Sequence, residues 1–127
     1  IVRNANAFNV STVHIIGKRH WNRRGAMVTD RYLTIVQHDS VSSFVAAVGP
    51  RHIVAVDNLP GSVALTGVRL PSHAVLVFGA EGPGLSDEMS KAAEMMVCIE
   101  QFGSTRSVNV GVASGIVMYE WLRQHIL

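Results

Sequence analysis

Two runs, "IVAV" at residues 53–56 and "AVLVF" at 74–78, constrain this chain more than anything else in it. Neither alternates apolar with polar positions, so a strand built from either has no face to offer water. Short uninterrupted apolar strands belong to a parallel sheet covered on both faces. The segments between them read as helices, and the alternation continues along the chain. "VSTVHIIG" (10–17), "LTIVQH" (33–38), "RHIVAVDN" (51–58), "HAVLVFG" (73–79) and "VCIEQ" (97–101) read as strands. "NANAFN" reads as a helix end, and a short helix is expected around 26–32. "SVSSFVAAVG" starts at a Ser cap and closes at Gly49. "SDEMSKAAEMM" (86–96) starts at Ser86, with Asp87 and Glu88 in its first turn, and 108–126 closes the chain as a helix. Residues 59–72 read as a loop with one helical turn. The expected fold is α/β, one parallel sheet flanked by helices.

A chain of 127 residues with 48% hydrophobic and 16% charged side chains suits a single globular domain, here 1–127. Ile1 is not an initiator and "IVRNANAFN" reads as the middle of an element, so residues upstream are expected. The lone Cys98, in "MMVCIE", excludes a disulfide framework and suits the cytoplasm; apolar neighbours suggest a buried, inert thiol. The most apolar long segment, 108–122, holds Asn109, Ser114 and Glu120 and is too short to span a bilayer. His14, His38, His52, His73 and His125 have no ligand spacing, and no metal is expected.

In such folds ligands bind outside the carboxyl ends of the strands, and the informative loops sit there. "GAEGPG" places Gly79, Gly82 and Gly84 after an apolar strand, with Glu81 and Pro83 among them. Missing Cβ atoms suit a tight turn or a close ligand, and the glycines alone do not choose between these. The spacing is not that of a dinucleotide fingerprint. "EQFGSTRS" opens the last helix, where Ser107 is positioned to cap it. Asn109 is a polar residue at the mouth of an apolar helix, and a satisfied buried amide is the plain alternative to a functional role. Gly111, Ala113, Ser114 and Gly115 follow, small enough for another backbone to come close. Five of the eleven Lys and Arg residues, Lys18, Arg19, Arg23, Arg24 and Arg31, cluster around Trp21. Such a segment is either a solvated loop or a polyanion grip with an aromatic for stacking. Arg3, taken alone, is an ordinary surface arginine.

Together and in this order, "VRNANAFNVSTVHIIG", "VFGAEGPGLSDE" and "IEQFGSTRSVNVGVASGIVMYEWLRQ" resemble the SpoU/TrmH family of the SPOUT superfamily, the RNA ribose 2′-O-methyltransferases. The resemblance covers nearly the whole chain. It implies a trefoil knot at the C-terminal end of the fold, S-adenosylmethionine as cofactor, a homodimer and a tRNA or rRNA substrate. Arg3 matches the arginine of the first motif, Glu81 the acid of the second, and Ser107 and Asn109 the Ser and Asn of the third. These four are the implied catalytic positions. The implied cofactor positions are Val56, Asp57, Asn58, Gly79, Glu81, Gly82, Ile99, Gln101 and Val108. Lys18, Arg19, Trp21, Arg23, Arg24 and Arg31 then become the RNA-binding segment. The Asn-x-Gly that opens the first motif, and the first strand of the fold, would precede Ile1. The third motif reads Ser107-Val108-Asn109 where Ser-Leu-Asn is usual, and the apolar contact is kept.

The implied reaction moves a methyl group from a sulfonium to a ribose hydroxyl. The protein must then align two atoms and help remove a proton. A guanidinium stays protonated at neutral pH, so Arg3 suits a phosphate-binding, charge-stabilising role better than that of a base. The alternatives are a non-catalytic RNA-binding protein that keeps the fold, and a nucleotide-binding α/β domain unrelated to RNA.

Overall fold

Every pair of strands in the computed structural model is parallel, in two separate sheets. The structure describes residues 1–17, 33–49, 52–80, 84–104 and 108–127. These residues fall into two units, 1–49 and 50–127. The helix expected around 26–32 lies outside the described residues.

The first unit holds helix α1 (Val2–Ala7), strands β1 (Thr12–Ile16) and β2 (Thr34–His38), and helix α2 (Val41–Val48). β1 and β2 pair from Thr12 opposite Thr34 to Ile16 opposite His38. Ser40 caps α2 by accepting a hydrogen bond from Ser43 N at 3.1 Å, and Gly49 ends it at φ 65°, as the sequence suggests. Phe44 and Val48 face inward from α2. Phe44 meets the rings of His14 and His38 edge-on, and His14 Nδ1 lies 2.9 Å from His38 Nε2.

The second unit is built on a four-stranded sheet in the order β4-β6-β3-β5, with β3 (His52–Val56) inside it. β3 pairs with β5 (Ala74–Phe78) on one side and β6 (Met95–Cys98) on the other. The two-residue β4 (Val63–Ala64) lies outside β6. Val54, Val97, Leu70 and Val117 are almost fully buried and form the core with Val56 and Leu65. Each such side chain contributes on the order of 2 kcal/mol through burial. Helix α3 (Asp87–Ala92) is capped by Ser86, which accepts from Met89 N at 3.2 Å. Helix α4 (Val110–His125) closes the chain. It grips the segment before β5: Gln124 Nε2 donates to Val68 O at 3.0 Å and its Oε1 accepts from Leu70 N at 2.7 Å. Trp121 Nε1 donates to Pro71 O at 2.9 Å, and His125 Nε2 meets Leu70 O at 2.7 Å.

Three local expectations need correcting. The helix read over 86–96 stops at Ala92, and Met95 and Met96 belong to β6, opposite Val54 and Ala55. Strand pairing on the central β3 outweighs the weak helical preference of methionine. Residues 59–72 contain β4 and a 3₁₀ turn, Leu65–Gly67, rather than a loop with one helical turn alone. Cys98, at the end of β6, is half-buried rather than fully enclosed, and it is a free thiol.

Candidate cofactor cleft

Because β3, β5 and β6 are parallel and adjacent, their carboxyl ends open on the same side of the second unit. A cleft of about 320 Å³ lies there. β3 supplies Val56, with Asp57 and Asn58 beyond it, and β5 supplies Phe78, with Gly79, Ala80 and Gly84 beyond it. Ile99 and Gln101 follow β6, and Val108, Asn109, Val110 and Ala113 come from the start of α4. The lining is mostly apolar, with a few polar groups at its edge, as ligand clefts are.

Gly79 cannot carry a side chain. A Cβ there would stand 2.2 Å from Gly84 C and 2.4 Å from Leu85 N. The returning chain therefore lies directly on the Gly79 backbone, held by Gly84 N donating to Ala80 O at 2.9 Å. Gly84 adopts φ 72°, a left-handed conformation that favours glycine. Asp57 reaches across from β3: its Oδ2 accepts from Leu85 N at 3.3 Å and its Oδ1 from Asn58 N at 2.7 Å.

At the opposite wall Asn109 is the N-cap of α4. Its Oδ1 accepts from Gly111 N at 2.8 Å and Val112 N at 3.3 Å. It is exposed and engaged with backbone, so it is not a buried amide. Asn109 is thus the cap of α4, and Ser107, also expected to cap it, lies outside the described residues. Gly111 leaves room for this cap, since a Cβ at 111 would lie 3.0 Å from Asn109 Oδ1. Beside the cleft, Thr66 Oγ1 donates to Glu100 Oε2, tying the 3₁₀ turn to the loop after β6. That hydroxyl is the main reason the Glu100 carboxyl titrates below its ordinary value.

Of the residues singled out in the sequence, Val56, Asp57, Asn58, Gly79, Ile99, Gln101, Val108 and Asn109 all border this cleft. Arg3 is exposed on α1, in the first unit. Glu81, Gly82 and Ser107 lie outside the described residues, as do Lys18, Arg19, Trp21, Arg23, Arg24 and Arg31. Phe78, Ala80, Gly84, Val110 and Ala113 also line the cleft without having been named as ligand positions. The small side chains early in α4 were the available signal for Ala113.

In parallel α/β folds the carboxyl ends of the strands are where ligands bind, and the cleft lies there. The chain's family is shown by comparison: residues 1–119 match the SpoU rRNA Methylase family, and the chain belongs to it. Over 126 residues it is 29% identical to the tRNA (guanosine(18)-2′-O)-methyltransferase of Borreliella burgdorferi, covering 95% of this chain and 58% of that protein. An AdoMet-bound rRNA methyltransferase from Sinorhizobium meliloti superposes with a TM-score of 0.86 at 26% identity, over 99% of this chain and 50% of that one. The TrmH/SpoU tRNA modifying enzyme of A. aeolicus gives 0.84 at 29% identity, over 97% of this chain and 66% of that one. The chain thus spans about half to two thirds of the length of these relatives.

Proposed function

We propose that this chain is the SPOUT methyltransferase domain of an enzyme that transfers a methyl group from S-adenosylmethionine to a ribose 2′-hydroxyl of tRNA or rRNA. One observation carries the reading: in a SpoU-family chain, the ends of β3, β5 and β6 meet α4 around a cleft lined by both apolar and polar residues. The cleft's volume is in the range of small-molecule sites. Val56, Ile99 and Val108 offer an apolar bed, and Asp57, Asn58, Gln101 and Asn109 border it with polar groups. These residues fit an adenosine-bearing cofactor. Glu81 and Gly82 belong to the same site in this reading.

Bound there, the cofactor supplies an electrophilic methyl group on a sulfonium. The protein's part is to hold the acceptor hydroxyl in line and keep water away. Arg3, permanently cationic, binds a substrate phosphate and lowers the cost of charge developing at the ribose oxygen. Ser107 and Asn109 hold the α4 end of the site, and Lys18, Arg19, Trp21, Arg23, Arg24 and Arg31 grip the RNA. The family match runs through both units, which supports one domain. Membership of the SpoU family supports the trefoil knot at the C-terminal end of the fold. Val112, Ile116 and Tyr119, exposed at i, i+4 and i+7 on α4, form an apolar stripe that supports a homodimer. A single free cysteine suits the cytoplasm.

The test has two arms. Titration with S-adenosylmethionine is expected to show saturable binding. Nucleoside mass spectrometry of tRNA and rRNA from cells with and without the protein is expected to show one 2′-O-methylated nucleotide lost. Absent cofactor binding overturns the reading; binding with an unchanged nucleoside profile turns it to a non-catalytic RNA-binding protein.

A further inference from the structure

The geometry points to Asp57 as a positioning residue: it acts on the cofactor site through the glycine turn it braces, not by touching the cofactor. This rests on the methyltransferase reading above and deepens it. Val56 and Phe78 are paired across β3 and β5, so Asp57 and Gly79 each lie one residue past that pair on neighbouring strands. Gly79 has no room for a side chain, and the returning Gly84–Leu85 backbone occupies the space one would take. Among the described residues, that return is tied to the outgoing chain by Gly84 N donating to Ala80 O at 2.9 Å. Asp57 supplies the brace from the side. Its Oδ2 accepts from Leu85 N at 3.3 Å and lies 3.0 Å from where a Gly84 Cβ would stand.

Its other oxygen is committed too, to Asn58 N at 2.7 Å, which fixes the side chain's rotation. Each carboxylate oxygen thus accepts from a backbone N–H group, one next to β3 and one in the returning chain. A neutral amide cannot reproduce this. Whichever way Asn is placed, one backbone N–H faces an NH₂ group and loses its acceptor. Asp57 also borders the cleft, and the engagement of both its oxygens with backbone N–H groups is what assigns it to the turn.

The test compares wild type with Asp57→Asn and Asp57→Ala. Amide hydrogen exchange is read at Leu85 in the free protein. Affinities are measured by calorimetry for S-adenosylmethionine, S-adenosylhomocysteine and methylthioadenosine. Asp57→Asn is expected to speed Leu85 exchange about tenfold. It should weaken all three ligands by one common factor of about five to ten, the size of one lost hydrogen bond. Weakening concentrated on ligands that carry one particular group would mean direct contact and overturn the proposal. Faster exchange with unchanged affinities would reduce Asp57 to a structural residue, and unchanged exchange would remove the brace itself. Asn keeps the shape of the side chain, so the comparison survives if Asp57→Ala fails to fold. Wild-type protein that binds none of the three ligands refutes the methyltransferase reading, while the exchange result still decides whether Asp57 braces the turn.

Discussion

At the scale of the residue, Asn109 shows how one side chain serves two purposes. The start of α4 has four backbone N–H groups without helical partners, and Asn109 satisfies two of them while standing at the cleft wall. Asn109→Ala is expected to cost about 1 kcal/mol and lower the thermal midpoint by roughly 4 °C, read by calorimetry. Glu100 offers a second, electrostatic case. Thr66 holds its carboxyl below the ordinary 4.5, so the ionised form is favoured by folding. A depressed folded-state value contributes stability that is full above about pH 4.5 and lost as the pH falls through the lowered value. In Thr66→Val the Glu100 titration, followed by NMR, is expected to move back up toward 4.5, and that part of the acid dependence should shrink.

At the scale of the element, the sequence was most legible where local chemistry and tertiary pairing agree. "IVAV" and "AVLVF" became β3 and β5, and Ser40, Gly49 and Ser86 mark helix ends as their side chains and conformations dictate. It was least legible where pairing overrode preference, as at Met95 and Met96, or where an element is two residues long, as β4 is. Strand ends and glycines pointed to one side of the sheet, and the residues there do meet around one cleft. Hidden from the sequence was what the glycines make room for. Gly79 yields to the chain's own backbone, and Gly111 yields to a cap oxygen. Neighbours of that kind depend on three-dimensional closure and leave no spacing to read.

At the scale of the whole molecule, the proposed labour is divided. Among the described residues the cleft lining comes from the second unit, whereas Arg3 and the basic segment fall in the first. Arg3→Ala is therefore expected to abolish methyl transfer to RNA, by a factor of about 100 or more, with S-adenosylmethionine affinity within about twofold of wild type. Parallel activity assays and binding titrations separate the two, and equal loss of both would show that Arg3 belongs to cofactor binding instead. The last turn of α4 has a consequence of another kind. Gln124 and His125, at the end of α4, hold the main chain that leads into β5 and on to Gly79. Local opening of the last turn of α4 would thus release the ties that keep the cleft's own strand seated. Fraying of this helix end and the lifetime of the binding site are thereby coupled.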